Sequence, residues 1–129
     1  MFIDKDSIVI NNIKIGQYIT EAKFEYNKLW SSDSGRNLVG SQSGTLIGIF
    51  PKIVLTFRKL TRNELELIVP ILDSVRQTVT YYDPNKKQYI TMTTYTGDYS
   101  FSNKLIVNNV NKKNESFSCS FISTDRRGD

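Results

Sequence analysis

Apolar and polar residues alternate at period two through the first half of the chain, a pattern that in an extended strand turns one set of side chains inward and the other outward. Ile8 and Ile10 form a first short run, and Asn11-Asn12 offers a turn into Ile13 to Ile15, because Asn tolerates positive φ and bonds its own backbone. The pattern predicts a hairpin ended by Gly16. From Ile19 to Trp30, Ala22, Phe24, Tyr26 and Trp30 share one face, interrupted by Lys28, while Glu21, Lys23, Glu25 and Asn27 share the other. That predicts a long half-buried strand. Residues 31 to 44 are rich in Ser and Gly and predict a long connecting loop. Ile47 and Ile49, then Ile53, Leu55 and Phe57, alternate on either side of Pro51. Proline cannot donate a ladder hydrogen bond, so a bulge, a bend or a sheet edge is expected there.

The period then changes. Thr61-Arg62-Asn63-Glu64 is a capping box, with Leu60 and Leu65 placed to form a hydrophobic staple, and Leu65, Ile68, Val69, Leu72 and Val75 recur at helical spacing. A helix over about residues 61–76 is predicted, with a kink or altered hydrogen bonding at Pro70. Thr78 to Tyr82 and Gln88 to Tyr95 read as a second hairpin around the turn Asp83-Pro84-Asn85-Lys86. Short runs at Tyr99 to Phe101 and Leu105 to Val107 follow, then a polar turn region from Asn108 to Asn114. Phe117, Cys119 and Phe121 alternate in a final strand. The order implies a single mainly β (α+β) domain over residues 1–129, a β-sandwich or β-roll with one flanking α-helix and a long loop at about 31–44.

Composition narrows the chemistry. The 129 residues contain no histidine, which removes the side chain best suited to proton transfer near neutral pH and the commonest nitrogen ligand for metals. Cys119 stands alone between two phenylalanines, so an inert buried thiol is expected and no disulfide can form within the chain. The net charge of +4 is spread in ones and twos, which does not suggest a nucleic-acid surface. No apolar stretch approaches the roughly 20 residues of a membrane span, and the acidic start of the chain does not resemble a signal peptide. The glycines around Gly35 to Gly48 form neither a P-loop nor a dinucleotide fingerprint. Asp83 and Asp98 lie in turns, where an Asp usually bonds its own backbone. Arg127-Gly128-Asp129 is short enough to arise by chance at a loose end. A non-enzymatic protein without a cofactor is the expectation.

The loop is the segment that asks for a role, since unstructured stretches of this length are uncommon in compact domains. Leu38 and Val39 lie in its middle, where water would be a poor environment for an apolar pair and a neighbouring subunit a good one. Trp30 ends the strand before it, and Arg36 with Asn37 precedes the pair. Trp and Arg are enriched at interfaces. Trp30, Arg36, Asn37, Leu38 and Val39 are therefore the candidate oligomer-interface residues. The tyrosines leave a second possibility, a monomeric carbohydrate-binding β-sandwich module.

Several stretches resemble a family of small proteins from the tail-gene clusters of phages and prophages of low-GC Gram-positive hosts. They are Asp33 to Asn37, Ile47 to Ile53, the Leu60 to Leu72 helix, Thr80-Tyr81-Tyr82-Asp83-Pro84 and Tyr95-Thr96-Gly97-Asp98-Tyr99. The resemblance spans most of the chain. It implies a distal tail or minor tail (tail-tip hub) protein of a long-tailed phage, or else a tail-tube or tail-completion protein. Such proteins have β-sandwich domains with a flanking helix and form sixfold rings through extended loops. The implied partners are further copies in a ring, a hexamer by that resemblance, together with tail tube, tape measure and tail-tip or baseplate hub proteins. The implied location is the virion tail, assembled in the host bacterial cytoplasm. A second, carbohydrate-binding-like domain carried by many distal tail proteins has no counterpart in this sequence.

Overall fold

The computed structural model describes residues 7–30, 35–36, 42–43, 46–103 and 114–127. The first hairpin joins β1 (Val9–Ile10) to β2 (Ile13–Lys14). Asn11 and Asn12 turn it with φ of 50° and 68°, the left-handed pair that matches the twist of two antiparallel strands. Asn11 also ties the hairpin to β7 (Gln77–Asp83): its N–H donates to the Thr78 carbonyl and its Oδ1 accepts from the Thr78 N–H, both at 2.9 Å. After a short 3-10 turn at Gly16–Tyr18, β3 (Ile19–Trp30) pairs antiparallel with β6 (Leu46–Phe57) along nearly its whole length. β8 (Gln88–Thr96) and β9 (Phe117–Ser123) complete a seven-stranded antiparallel sheet in the order β2-β1-β7-β8-β9-β6-β3.

That sheet rolls. Three strands separate β3 from β7, which in a flat sheet would hold them about 19 Å apart. The rings of Phe24 on β3 and Tyr81 on β7 nevertheless meet with centroids 5.9 Å apart. Both ends of the strand order are also tied by the short Ile15–Tyr18 connection between β2 and β3. The mainly β class with one flanking helix is as expected, and the single curled sheet gives it the form of a roll. Its inner face carries the alternating residues: Ile53, Leu55 and Phe57 of β6, Val79 and Tyr81 of β7, Phe117, Cys119 and Phe121 of β9, all buried. Ile8, Ile10 and Ile15 fill the side near the first hairpin.

One end of the roll is closed by α1 (Arg62–Asp73), which buries Ile68, Ile71 and Leu72. Its capping box is complete: Thr61 Oγ1 accepts from the Glu64 N–H at 3.3 Å and Glu64 Oε1 from the Thr61 N–H at 2.9 Å. Arg58 Nη2 donates to Glu64 Oε2 at 2.6 Å. The helix passes through Pro70 and stops at Asp73, three residues short of the predicted end, so Val75 falls outside it and is 79% exposed. Side chains supply the stop. Ser74 Oγ caps the Pro70 carbonyl, Gln77 Nε2 the Ile71 and Ser74 carbonyls, and Thr96 Oγ1 the Leu72 carbonyl.

Three further expectations are corrected. Within the predicted loop, β4 (Gly35–Arg36) pairs with β5 (Gln42–Ser43). A ladder of two residues a side needs only backbone groups, so side-chain alternation gives no signal for it. Pro51 causes no bulge: it lies opposite Tyr26 in regular register, and the register shifts fall at Ile19/Glu21 and Leu29/Trp30. The Arg127 N–H bonds the Ile49 carbonyl, so by period two the side of Pro51 that lacks an N–H also faces β9. The ladder with β9 begins at Lys52, one residue later. Residues Tyr99 to Phe101 form no strand; Tyr99 hydrogen-bonds Asp73, and Phe101 packs on Phe117 at 5.6 Å. The predicted run at Leu105 to Val107 lies outside the described residues, as does the polar region after it up to residue 113.

Candidate assembly surface

β9 covers β6 only from Lys52 to Phe57, so the Leu46–Pro51 half of β6 and its partners Tyr26 to Trp30 continue past it as a two-stranded ribbon. Near the ribbon's end Leu29 faces Gly48 while Trp30 faces Leu46, leaving Ile47 as the extra residue of a bulge. Bulges increase local twist and re-aim side chains. Leu29, Leu46 and Ile47 are 48%, 38% and 44% exposed. Leu46 lies opposite Trp30, the residue after Leu29, so Leu29 and Leu46 are on opposite faces, which leaves large apolar side chains exposed on both sides of the ribbon's end, the pattern of a docking surface more than of a solvated edge.

The apolar surface continues onto the outer face of the roll. Leu29 of β3, Phe50 of β6, Ile122 of β9 and Tyr95 of β8 line a shallow groove of about 400 Å³, bordered by Asn27, Lys28, Ser123 and Thr124. The registers Asn27↔Phe50 and Tyr95↔Ile122 put these residues on one side of four adjacent strands.

A strap formed by Arg126 and Arg127 sets the ribbon's position. The Arg127 N–H donates to the Ile49 carbonyl at 2.7 Å, and Arg126 Nη1 to the Ile47 carbonyl at 3.1 Å. Gly48 makes room for this, since a Cβ there would lie 2.7 Å from Arg126 Cβ. The Arg127 guanidinium then reaches across the mouth of the roll to Asp83, with Nη1 to Oδ2 at 3.0 Å, and lies 5.5 Å from the Tyr26 ring centroid. Asp83 is thus more than a turn former. Its Oδ1 accepts from the Asn85 N–H, as an Asp in a turn does, while its other oxygen holds a buried ion pair, with side-chain exposures of 1% for Asp83 and 11% for Arg127. Burial, and then the Asp83 charge, push the Tyr26 phenol above its ordinary pKa, and burial does the same to Tyr81. Among the described residues, both buried hydroxyls have no hydrogen-bond partner.

Of the candidates read from the sequence, Trp30 ends β3 at the bulge, partly buried, and Arg36 lies in β4. Asn37, Leu38 and Val39, and the Arg36 side chain, lie outside the described residues. The structure therefore joins Trp30 to Leu29, Leu46 and Ile47, and adds Phe50, Tyr95 and Ile122. The signal for those additions was an apolar residue at an outward position, as Leu29 is after Glu21, Lys23, Glu25 and Asn27. Cys119 is buried, and burial pushes its thiol up to about 12, well away from a reactive thiolate.

A second cleft, of about 410 Å³, opens at the mouth of the roll beside Pro51, Tyr81, Met92, Lys86 and the strap arginines. Its one aromatic, Tyr81, is fully buried and offers no exposed ring on which a sugar could stack. Among the described residues no three His, Cys, Asp or Glu side chains gather as metal ligands, and no helix is long and apolar enough to cross a membrane. No protein-family model matches the chain, and no curated protein or solved structure matches it either.

Proposed function

We propose that the protein is a structural component of a bacteriophage virion tail, a distal tail or tail-tip hub ring subunit that acts by self-association and by binding neighbouring tail proteins. The observation that carries this reading is the cluster of exposed apolar side chains at the ribbon's end, Leu29, Leu46 and Ile47, together with the outer-face groove in which Leu29 meets Phe50, Tyr95 and Ile122. A head-to-tail ring needs a protruding element that meets a different surface on the next copy. The ribbon supplies the first and the outer face of the roll is available for the second. The sequence resemblance to tail-cluster proteins supports the same reading, with a hexamer as the expected ring and tail tube, tape measure and hub proteins as neighbours. A tail-tube or tail-completion subunit would use the same surface at a different level of the tail.

Electron microscopy of whole tails labelled with an antibody against this chain tests the proposal. Label concentrated at the tail tip is the expected result, and label along the shaft assigns the subunit to the tube. Tails that carry no label, from particles whose other tail proteins are detected, rule the proposal out.

A further inference from the structure

β3 has a strand on one side only: it ends the sheet order, and among the described residues its second edge meets no other strand. The direction of its backbone groups can be worked out. The Ile49 carbonyl bonds the Arg127 N–H, so odd-numbered residues of β6 face β9 and even-numbered ones face β3. Those even residues pair with the odd residues of β3, from Glu21↔Thr56 to Leu29↔Gly48. The N–H and C=O groups of Ala22, Phe24, Tyr26 and Lys28 therefore point to the open edge. Natural sheets blunt long edges with bulges, prolines or charged side chains, and charges deter a second strand unless it matches them. Between Glu21 and Leu29 the register is unbroken, the segment has no proline, and its charges alternate in sign.

That alternation is self-complementary. We propose that β3 pairs antiparallel with β3 of a second copy about a two-fold axis through Phe24. In this register each Lys23 lies opposite Glu25 of the other copy, Glu21 opposite Asn27 and Ala22 opposite Tyr26, and no two like charges face each other. The outward-pointing backbone groups of Phe24 meet their own counterparts, as an antiparallel ladder requires. Moving the axis to Ala22 keeps Lys23 opposite Glu21 but sets Glu25 against Ile19 beside the bulge, and moving it to Tyr26 leaves no Lys–Glu pair. Within one copy Lys23, 65% exposed, lies 3.9 Å from Glu25, and Glu25, 32% exposed, also attracts Lys52 at 3.6 Å, so the pair across the axis extends an existing line of alternating charge. The pairing is isologous and closes at two copies. It rests on β3 alone and holds whether or not the protein belongs to a tail.

The test is light scattering of the full chain from micromolar to millimolar concentration, for wild type, Lys23→Glu, Glu25→Lys and the double swap, with circular dichroism to show that each is folded. Wild type is expected to dimerise, each single reversal to weaken the dimer by about tenfold or more through two opposed like-charge pairs, and the double swap to restore it. Amide exchange of Ala22, Phe24, Tyr26 and Lys28 should slow in the dimer. A wild-type monomer at millimolar concentration, a dimer indifferent to the single reversals, or a folded double swap that stays monomeric overturns the proposal. Rings that form while the two-copy species ignores the reversals overturn it and leave the tail reading standing. A charge-sensitive dimer from a protein missing from tails supports it while the tail reading fails.

Discussion

Asp83 and Arg127 show how much can depend on one pair of side chains. The carboxylate is almost wholly removed from water, and Arg127 is its charge partner across the mouth of the roll. Removing one member of such a pair strands the other, which typically costs about 3–5 kcal/mol. Arg127→Met is therefore expected to lower unfolding free energy by about that amount in a urea titration, with Asp83→Asn milder because Arg127 keeps more contact with solvent. Glu64 gives a pH-dependent counterpart. Hydrogen bonds from Arg58 and the Thr61 backbone hold its carboxyl at about 2, below its ordinary 4.5. Between those values the unfolded chain binds the proton that the folded one refuses, so stability rises with pH across this window. The contribution is complete above the ordinary value and is lost as pH falls toward the lower one. Glu64→Gln should flatten this acid limb in stability measured against pH. The two sites also differ in how legible they are. Thr61 and Glu64 stand three residues apart and announce their bond in the sequence, whereas Asp83 and Arg127 stand 44 apart and look like a turn residue and a loose end.

At the scale of elements, strands were legible wherever period two was clean, and the two hairpins wherever Asn or Asp-Pro marked the turn. Element ends were less so, because long-range bonds decide them. The helix stops at Asp73 on bonds from Gln77 and Thr96 that lie beyond any local signal. Pro51 was expected to bulge or bend its strand or to lie at a sheet edge, and locally the last holds, since β9 begins to pair one residue later and no N–H is needed. Gly48 is the element-scale residue to test. A methyl group there would meet both Cβ and Cδ of Arg126, and neither backbone can easily withdraw from a paired ribbon and a bonded strap. Gly48→Ala is expected to cost about 1–3 kcal/mol, the usual range for overpacking. Loss of protection at the Arg127 amide in hydrogen exchange would show that the strap has lifted.

The molecule as a whole is a roll with one end closed by a helix and a ribbon projecting past β9. Its curvature could not be read from the sequence, because alternation says which residues face inward but not how far the sheet bends. The Phe24–Tyr81 contact reveals the bend. Of the proposed assembly surface, Trp30 drew attention through composition, while the groove of Leu29, Phe50, Tyr95 and Ile122 needed the strand order to bring it together. The chain's single tryptophan lies at the ribbon's end and reports on this surface directly. The deciding measurement is acrylamide quenching of Trp30 fluorescence in the isolated protein and at assembling concentrations, beside a Leu29→Asp/Ile47→Asp variant. Burial of the ribbon in an assembly should reduce quenching in wild type and leave the variant unchanged. Equal quenching of wild type in the dilute and the assembled states would contradict the account.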